Sequence, residues 1–232
     1  MIDMHEHILP GVDDGATDAE MTKVMMGRAA DAGITTMFAT PHVYRVQDRF
    51  SGYSVLRTAR SIAHDEGIAL NLGCELNYRA LQENGLQQLD DYRLGATKCV
   101  LVELSNTQML LNWERVISEM MDNGYLPIIA HPERYMYIQR DFDIAQAMVE
   151  LGCELQVDAG GLMAPMLSAE RRTARKLLKD GLVSYVASDA HRPQDYDEFE
   201  KAYRIFRGEW PHENRLHALL RRQRKERTHD DP

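Results

Sequence analysis

Short apolar segments alternate with amphipathic helical segments along most of this 232-residue chain. Seven segments have the length and the apolar content of β-strands, and helical segments separate most of them. The predicted strands are residues 1–4, 34–40, 68–74, 99–102, 126–130, 153–157 and 182–187. Strands that alternate with helices are typical of parallel sheets with helical crossovers. The sequence therefore predicts an α/β fold.

A barrel is the economical way to close seven such strands in one domain, and an open doubly wound sheet is the alternative. No glycine-rich phosphate-binding motif follows the first predicted strand, which disfavours a nucleotide-binding Rossmann domain. Because no linker or short repeat is evident, we predict a single domain over residues 1–232. The motif Thr17-x-x-Glu20 predicts a capping box at the start of the first helix.

The C-terminal part of the chain is predicted to be helical near residues 196–207 and 214–227. Residues 220–232 are predicted to form a tail. Its basic run, residues 220–227, is interpreted as a solvated helix face with a frayed end. Contact of this run with an acidic partner or a neighbouring subunit is the alternative.

Composition excludes several classes of function. A formal net charge of −9 disfavours a general nucleic-acid or anionic-membrane binder. No apolar run approaches transmembrane length, and the first residues lack the features of a signal peptide, so we expect a cytoplasmic protein without membrane insertion. Three cysteines, Cys74, Cys99 and Cys153, have no C-x-x-C spacing and are interpreted as buried thiols.

Side chains that commonly bind metals end six of the seven predicted strands. They are His5 with His7, His42, Glu75, Glu103, His131, and Asp189 with His191. In a parallel barrel, the C-terminal strand ends surround one mouth, where these folds place their chemistry. Histidine and carboxylate ligands without thiolates favour Mn, Fe, Co or Zn, and these donors are too many for one ion. The pattern predicts a multinuclear metal centre, and Asp158, at the remaining strand end, is given a structural role.

The first fifteen residues begin this pattern with two histidines. In an extended segment, residues two apart point to the same side, so His5 and His7 can bind one ion. The segment Leu9-Pro10-Gly11 turns the chain, and Asp13-Asp14-Gly15 is expected to bring carboxylates back to the same mouth.

The ligand-type residues lie in a series of short motifs within residues 1–192. These are Asp3-x-His5-x-His7, Val12-Asp13-Asp14-Gly15, Thr40-x-His42, Gly73-x-Glu75, Glu103-x-Ser105, Ala130-His131-x-Glu133-Arg134 and Ala187-Ser188-Asp189-x-His191. In this order and combination, they resemble the polymerase-and-histidinol-phosphatase (PHP) superfamily. Within it, the sequence is similar to the bacterial capsule-type, manganese-dependent protein tyrosine phosphatases.

The resemblance implies a distorted seven-stranded (β/α) barrel that holds three divalent metal ions, preferably Mn. It assigns the first metal to His5, His7, Glu75 and Asp189, with Glu75 bridging to a second metal bound by Glu103 and His131. It assigns the third metal to Asp14, His42 and His191. Arg134 matches the arginine that contacts the substrate phosphate. A second such arginine is expected several residues after His191, but Arg192 follows immediately, so Arg192, Arg45 or no residue fills this role.

The implied function is hydrolysis of protein phosphotyrosine in capsule or exopolysaccharide synthesis. The substrate would be the tyrosine-rich tail of a membrane-associated autokinase. A hydroxide bridging two metals would attack phosphorus while Arg134 neutralises phosphoryl charge. Two alternatives stay open: a phosphatase for histidinol phosphate or another small molecule, and a non-enzymatic phosphotyrosine-binding module. A homo-oligomer is a further open expectation.

A cysteine-dependent phosphatase can be tested from spacing alone. That chemistry needs a reactive cysteine with an arginine six residues further on, where it cradles the phosphate. The residues six positions beyond the three cysteines are Ala80, Ser105 and Ala159. None of them fits, which leaves metal-dependent hydrolysis as the favoured chemistry.

Overall fold

Strands and helices alternate along residues 1–45 and 52–211, which the computed structural model describes without the side chains of residues 53 and 84–88. The strands are β1 Ile2–Glu6, β2 Thr36–Ala39, β3 His42–Val43, β4 Ala69–Leu72, β5 Glu75–Asn77, β6 Cys99–Glu103, β7 Leu126–Ala130, β8 Glu154–Asp158 and β9 Tyr185–Ala187. The α-helices are α1 Ala19–Asp31, α2 Tyr53–Asp65, α3 Tyr78–Asn84, α4 Trp113–Asp122, α5 Met136–Arg140, α6 Asp143–Leu151, α7 Ala159–Met163, α8 Ala169–Lys179 and α9 Asp195–Phe206. Two stretches, Gly85–Tyr92 and Pro132–Arg134, are 3-10 helices. The predicted α/β class is confirmed.

Two of the predicted strands are each divided into a pair of shorter strands. The segment predicted at 34–40 ends as β2 and continues after Pro41 as β3, because proline has no N–H to donate to a ladder. The segment predicted at 68–74 is divided at Gly73-Cys74 into β4 and β5. A Cβ on Gly73 would lie 2.6 Å from Leu94 Cδ2, so a larger residue would require the Leu94 side chain to move.

The strand divisions produce two parallel sheets in place of one continuous ladder. The sheets have the orders β1-β2-β4 and β3-β5-β6-β7-β8-β9. The chain passes from the smaller to the larger sheet at the two divisions, between β2 and β3 and between β4 and β5. The end of β1 also pairs with the segment after β9: Asp189 N donates to His5 O, and His7 N donates to Ala190 O, both at 2.9 Å. These backbone hydrogen bonds bring the two sheets together, but the described strands do not close into a continuously hydrogen-bonded barrel.

Apolar side chains occupy two layers. A smaller cluster comes almost entirely from strands and comprises Ile2, Met4, Phe38, Leu94, Cys99, Leu101, Ile128, Ala130, Tyr185 and Ala187. A larger cluster joins the opposite strand faces to the helices, for example Val100 and Val102 of β6 to Ile117 of α4. This division reflects the alternation of side chains along each strand. The three cysteines are buried, as predicted, and none of them is in a disulfide.

The helices pack one face on the larger cluster. Met25 and Met26 of α1, and Ile117 and Met120 of α4, are fully buried. The predicted helix at 196–207 is confirmed as α9, whereas residues 214–227 and the basic run 220–227 lie outside the described residues. Among the described helices, none has the length and apolar character needed to cross a membrane.

The predicted capping box at Thr17 is wrong by one residue. Asp18 is the N-cap of α1, with extended backbone, and its Oδ1 accepts a hydrogen bond from Met21 N at 2.9 Å. An aspartate in this position satisfies an otherwise unpaired helix N–H, and its charge favours the helix N-terminus. Asp18 therefore performs the role that the sequence pattern assigned to Thr17.

We expect Asp18→Ala to lower the free energy of unfolding by about 1 kcal/mol. For a chain of this size, that corresponds to a fall in Tm of roughly 2–4 °C. Thermal unfolding followed by circular dichroism measures the change, and Thr17→Ala is the matched control with a smaller effect. A larger loss for Thr17→Ala than for Asp18→Ala would contradict the assignment of the cap.

Candidate metal centre and active site

All nine residues predicted as metal ligands converge at the C-terminal strand ends. They form four overlapping groups, within each of which one potential ligand atom per residue lies within 4.8 Å of the others. The groups are His7 with Asp14, His42 and His191; His5 with His7 and Glu75; His5 with His131 and Asp189; and His42 with Glu75 and Glu103. The strand-end pattern thus identified side chains that the fold brings together.

Glu75, at the start of β5, is at the centre of these groups. Its Oε1 lies 2.7 Å from Nε2 of His131, and its Oε2 lies 2.7 Å from Nδ1 of His42. The Nε2 atoms of His5 and His7 are 3.4 and 3.6 Å from the same Oε2. Burial alone would raise the pKa of Glu75, but the charge of His5 and the hydrogen bond with His131 hold the pKa well below its ordinary value. The carboxylate is therefore ionised and available as a bridging ligand.

His5 and His7 turn their Nε2 atoms toward one another at 3.4 Å. Both atoms also approach Asp189 Oδ1, at 3.2 and 3.3 Å. The opposite ring nitrogens are engaged elsewhere: His5 Nδ1 lies 2.9 Å from Gln156 Oε1, and His7 Nδ1 lies 2.7 Å from Asp13 Oδ2. A metal-binding histidine commonly has its second nitrogen held in this way, which fixes the ring.

The turn after β1 returns two carboxylates to the mouth, as predicted. Ala16 N donates to His7 O at 2.9 Å, which closes the turn. A Cβ on Gly15 would lie 2.0 Å from His7 O, so only glycine allows this approach. Asp13 then contacts His7, while Asp14 Oδ1 lies 3.3 Å from Nε2 of His42.

The group around Asp14 is the most exposed of the four. Asp14 Oδ1 lies 3.3 Å from Nε2 of His191 as well as from His42. The His7 and His191 rings stack with centroids 4.0 Å apart. The side chain of Asp14 is 69% exposed, whereas that of Glu75 is 1% exposed. The site therefore extends from a buried floor to an edge that solvent and substrate can reach.

Two of the ligand positions have a left-handed backbone. His131 has φ 34° and Asp189 has φ 49°, values that are uncommon for residues other than glycine. Such conformations cost on the order of 1–3 kcal/mol and persist where surrounding contacts enforce them. Here Arg134 N donates to His131 O at 3.0 Å, and Asp189 N donates to His5 O. The strained backbone aims both side chains into the site.

Arg134 lies beside these groups at the end of the Pro132–Arg134 turn. Its Nη2 is 2.6 Å from Asp158 Oδ2 and 2.7 Å from Asp189 Oδ2, and its Nε is 3.9 Å from Glu170 Oε1. The side chain is 38% exposed. Asp158 therefore orients the arginine, which agrees with the structural role expected for it.

The candidates for a second phosphate-binding arginine are both exposed. Arg192 lies before α9, where its backbone N–H donates to Asp195 Oδ2 at 2.9 Å. Arg45 follows β3 by two residues. Beyond Arg192, in the first turn of α9, Tyr196 is buried, and its hydroxyl donates to Glu6 Oε2 at 2.7 Å. A second arginine at the phosphate thus stays a prediction.

Sequence analysis did not identify Gln156 as a site residue. It lies on β8 two residues before Asp158, so both side chains point to the same face. Gln156 Nε2 donates to Asp158 Oδ1 at 2.8 Å, while its Oε1 contacts His5. The available signal was polar residues alternating with apolar ones in Glu154-Leu155-Gln156-Val157-Asp158.

Comparison with known proteins agrees with this geometry. Residues 1–209 match the family of capsular polysaccharide synthesis proteins CpsB/CapC. The chain belongs to the CpsB/CapC family. The predicted resemblance to capsule-type tyrosine phosphatases is thereby confirmed.

Relatives in this family are described as tyrosine phosphatases. The chain is 31% identical over 196 residues to the tyrosine-protein phosphatase YwqE of Bacillus subtilis, covering 82% of this chain and 77% of YwqE. It is 28% identical over 225 residues to the tyrosine-protein phosphatase CpsB of Streptococcus pneumoniae, covering 88% and 91%. Crystal structures of these two proteins describe metal-dependent tyrosine phosphatases. One chain from them superposes with a TM-score of 0.80 at 29% identity, covering 95% of this chain and 94% of that one.

We expect the Tm of chelator-treated protein to fall as the pH rises from about 6.5 to 9. Burial alone would lower the pKa of His7, but Asp13 and Asp189 raise it from 6.5 to about 9. The stability that protonated His7 provides is present below the unfolded pKa and is lost as the pH passes the folded pKa. Burial also raises the pKa of Glu133 to about 8, which destabilises the folded state in the same direction.

Differential scanning fluorimetry between pH 6.5 and 9 measures this dependence. His7→Gln is expected to reduce its slope, and His64→Gln, at a side chain that is 90% exposed, serves as the matched control. A Tm that stays constant or rises over this range would show that the site histidines are not held in their charged form.

Proposed function

We propose that this chain is a metal-dependent phosphatase for protein phosphotyrosine. The observation that supports this most directly is the convergence of nine histidine and carboxylate ligands beside Arg134, in a chain of the CpsB/CapC family. Similar proteins in that family are metal-dependent tyrosine phosphatases. The reaction proposed is hydrolysis of a phosphoric monoester, and histidinol phosphate is retained only as a comparison substrate.

The residues fit divalent cations. The buried oxygens Glu75 Oε2 and Asp189 Oδ1 accept no well-oriented hydrogen bond from the described residues, although imidazole nitrogens lie as close as 2.7 and 3.2 Å to them. Buried polar atoms normally have a partner, so oxygens of this kind within a histidine cluster are suited to metal coordination. Neutral imidazole and carboxylate donors without thiolates suit Mn, Fe, Co or Zn.

We propose three cations, preferably Mn, and retain the ligand assignment that the resemblance implies. His5, His7, Glu75 and Asp189 would hold the first ion. Glu75, Glu103 and His131 would hold the second, and Asp14, His42 and His191 the third. When bound, such ions lower the pKa of water and neutralise phosphoryl charge.

The chain's own residues supply the remaining requirements of the reaction. Arg134 presents a guanidinium at the mouth, where a phosphate dianion would meet it, and Asp158 with Asp189 fixes its direction. Gln156 and Asp13 fix the rings of His5 and His7. A tyrosine leaving group has a pKa near ~10, so it needs less protonation than a serine alkoxide would.

We further propose that residues 1–232 form one domain that acts in the cytoplasm. The partner proposed is the phosphotyrosine-bearing tail of a membrane-associated kinase that regulates capsule or exopolysaccharide synthesis. A homo-oligomer belongs to the same proposal. Support comes from the family match over residues 1–209.

Removal of bound metal is expected to abolish hydrolysis of a phosphotyrosine peptide, and addition of Mn is expected to restore it. His131→Ala should lower both the metal content and the turnover, because His131 contacts the central Glu75. His64→Ala is the matched control. Metal analysis and phosphate release, with histidinol phosphate assayed beside the peptide, make the measurement.

Each contrary result would contradict a different part of the proposed function. Full activity in metal-free protein would exclude metal-dependent hydrolysis. Faster release from histidinol phosphate than from the peptide would retain the centre and change the substrate. A single stoichiometric binding event without multiple turnovers would favour a phosphotyrosine-binding module.

Arg134→Lys is expected to lower kcat/KM for the phosphotyrosine peptide by roughly ten- to hundredfold, equivalent to about 1.5–3 kcal/mol for a charged hydrogen bond. Lysine keeps the charge but loses the planar fork that matches a phosphate. Metal content should be unchanged. Arg140→Lys, at the exposed end of α5, is the matched control. An unchanged kcat/KM for Arg134→Lys would remove this residue from the phosphate site.

A further inference from the structure

Tyr44 is an aromatic residue at the edge of the metal centre that the proposed mechanism does not use. It follows β3, directly beyond His42 and Val43, at the C-terminal strand ends. Its ring stacks on the His42 ring, with centroids 4.9 Å apart and planes inclined by 26°. Tyr44 thus contacts His42, which belongs to two of the four groups of potential metal ligands.

The ring is also open to incoming ligand. Tyr44 is 49% exposed even though His42 covers one side of its ring. Tyr135 in the β7 connection differs, since it is fully buried and its hydroxyl donates to Ala130 O at 2.7 Å. Tyr135 supports the fold, whereas Tyr44 presents aromatic surface at the mouth of a site otherwise lined by charged groups.

We propose that Tyr44 forms the aromatic wall of a subsite that binds the leaving-group ring of an aryl phosphate. This inference rests on the proposed phosphatase function and adds a reason for selecting aryl over alkyl phosphates. Aromatic pairs prefer offset or edge-to-face contact with centroids about 4.5–7 Å apart. A substrate ring beside Tyr44 would keep its phosphate at the centre, within the region that Arg134 also borders.

The strength of such a contact sets the expected size of the effect. An aromatic pair contributes enough beyond area burial to change affinity by roughly two- to tenfold. The subsite is thus expected to adjust selectivity between ligands of equal charge rather than to determine whether phosphate binds.

Binding of two non-hydrolysable probes tests the inference. Phenylphosphonate carries an aromatic ring, and methylphosphonate presents a similar anion without one. We expect Tyr44→Leu in the metal-loaded protein to weaken phenylphosphonate binding by about two- to tenfold, and to leave methylphosphonate binding unchanged. Tyr44→Phe keeps the ring and should retain the preference. Isothermal titration calorimetry measures both affinities without requiring turnover.

Controls separate this inference from a structural role for Tyr44. Tyr125→Leu changes a partly exposed tyrosine before β7, at the opposite end of the strands, and should alter neither affinity. Metal content and Tm are measured for each variant, because Tyr44 stacks on His42, a proposed metal ligand, and these measurements detect any displacement of that ligand. Equal weakening of both probes by Tyr44→Leu, or no weakening of either, would overturn the inference. Failure of the wild type to hydrolyse phosphotyrosine would instead overturn the proposed function and leave the probe comparison interpretable.

Discussion

The buried carboxylate of Glu75 is the interaction on which the rest of the site depends. An isolated ionised carboxylate in a protein interior is strongly disfavoured, so it must be compensated locally. His131 and His42 each approach it to 2.7 Å, and His5 adds a favourable charge. These histidines come from the ends of different strands, β7, β3 and β1. Compensation of the Glu75 charge therefore requires β1, β3 and β7 to come together. The electrostatics of this one carboxylate thus depend on how the strands are assembled.

The divided strands place the central residues where this compensation can occur. β3 pairs with β5 in parallel register, with His42 opposite Glu75. Had residues 34–40 continued as one regular strand, His42 would have stayed in the smaller sheet with β1 and β4. Pro41 and the Gly73-Cys74 pair lie at the two strand divisions, just before these residues. The division of the strands therefore helps to build the site.

The sequence predicted which histidines and carboxylates converge better than it predicted their surroundings, and the reason is physical. Most of these residues end or closely follow an apolar run, so their positions needed only the direction of the strands. The contact of Gln156 with His5 could not be obtained in that way, because it depends on β8 lying near β1 in the fold. The helix cap at Asp18 and the divisions at Pro41 and Gly73 were missed for a related reason. Neighbouring residues are each suited to cap the helix or to end the strand, and the local sequence pattern does not show which of them does so.

Under the proposed function, Asp189 would connect phosphate recognition by Arg134 to the histidines of the metal centre. One oxygen of Asp189 faces His5 and His7, and the other contacts Arg134 Nη2 at 2.7 Å. The contact of Arg134 with Asp158, at 2.6 Å, uses the same nitrogen. An arginine has enough donors to keep these carboxylates while it binds an anion. A phosphate bound there would therefore not need to displace Asp158 or Asp189, and Asp189 would hold both Arg134 and the two histidines in position.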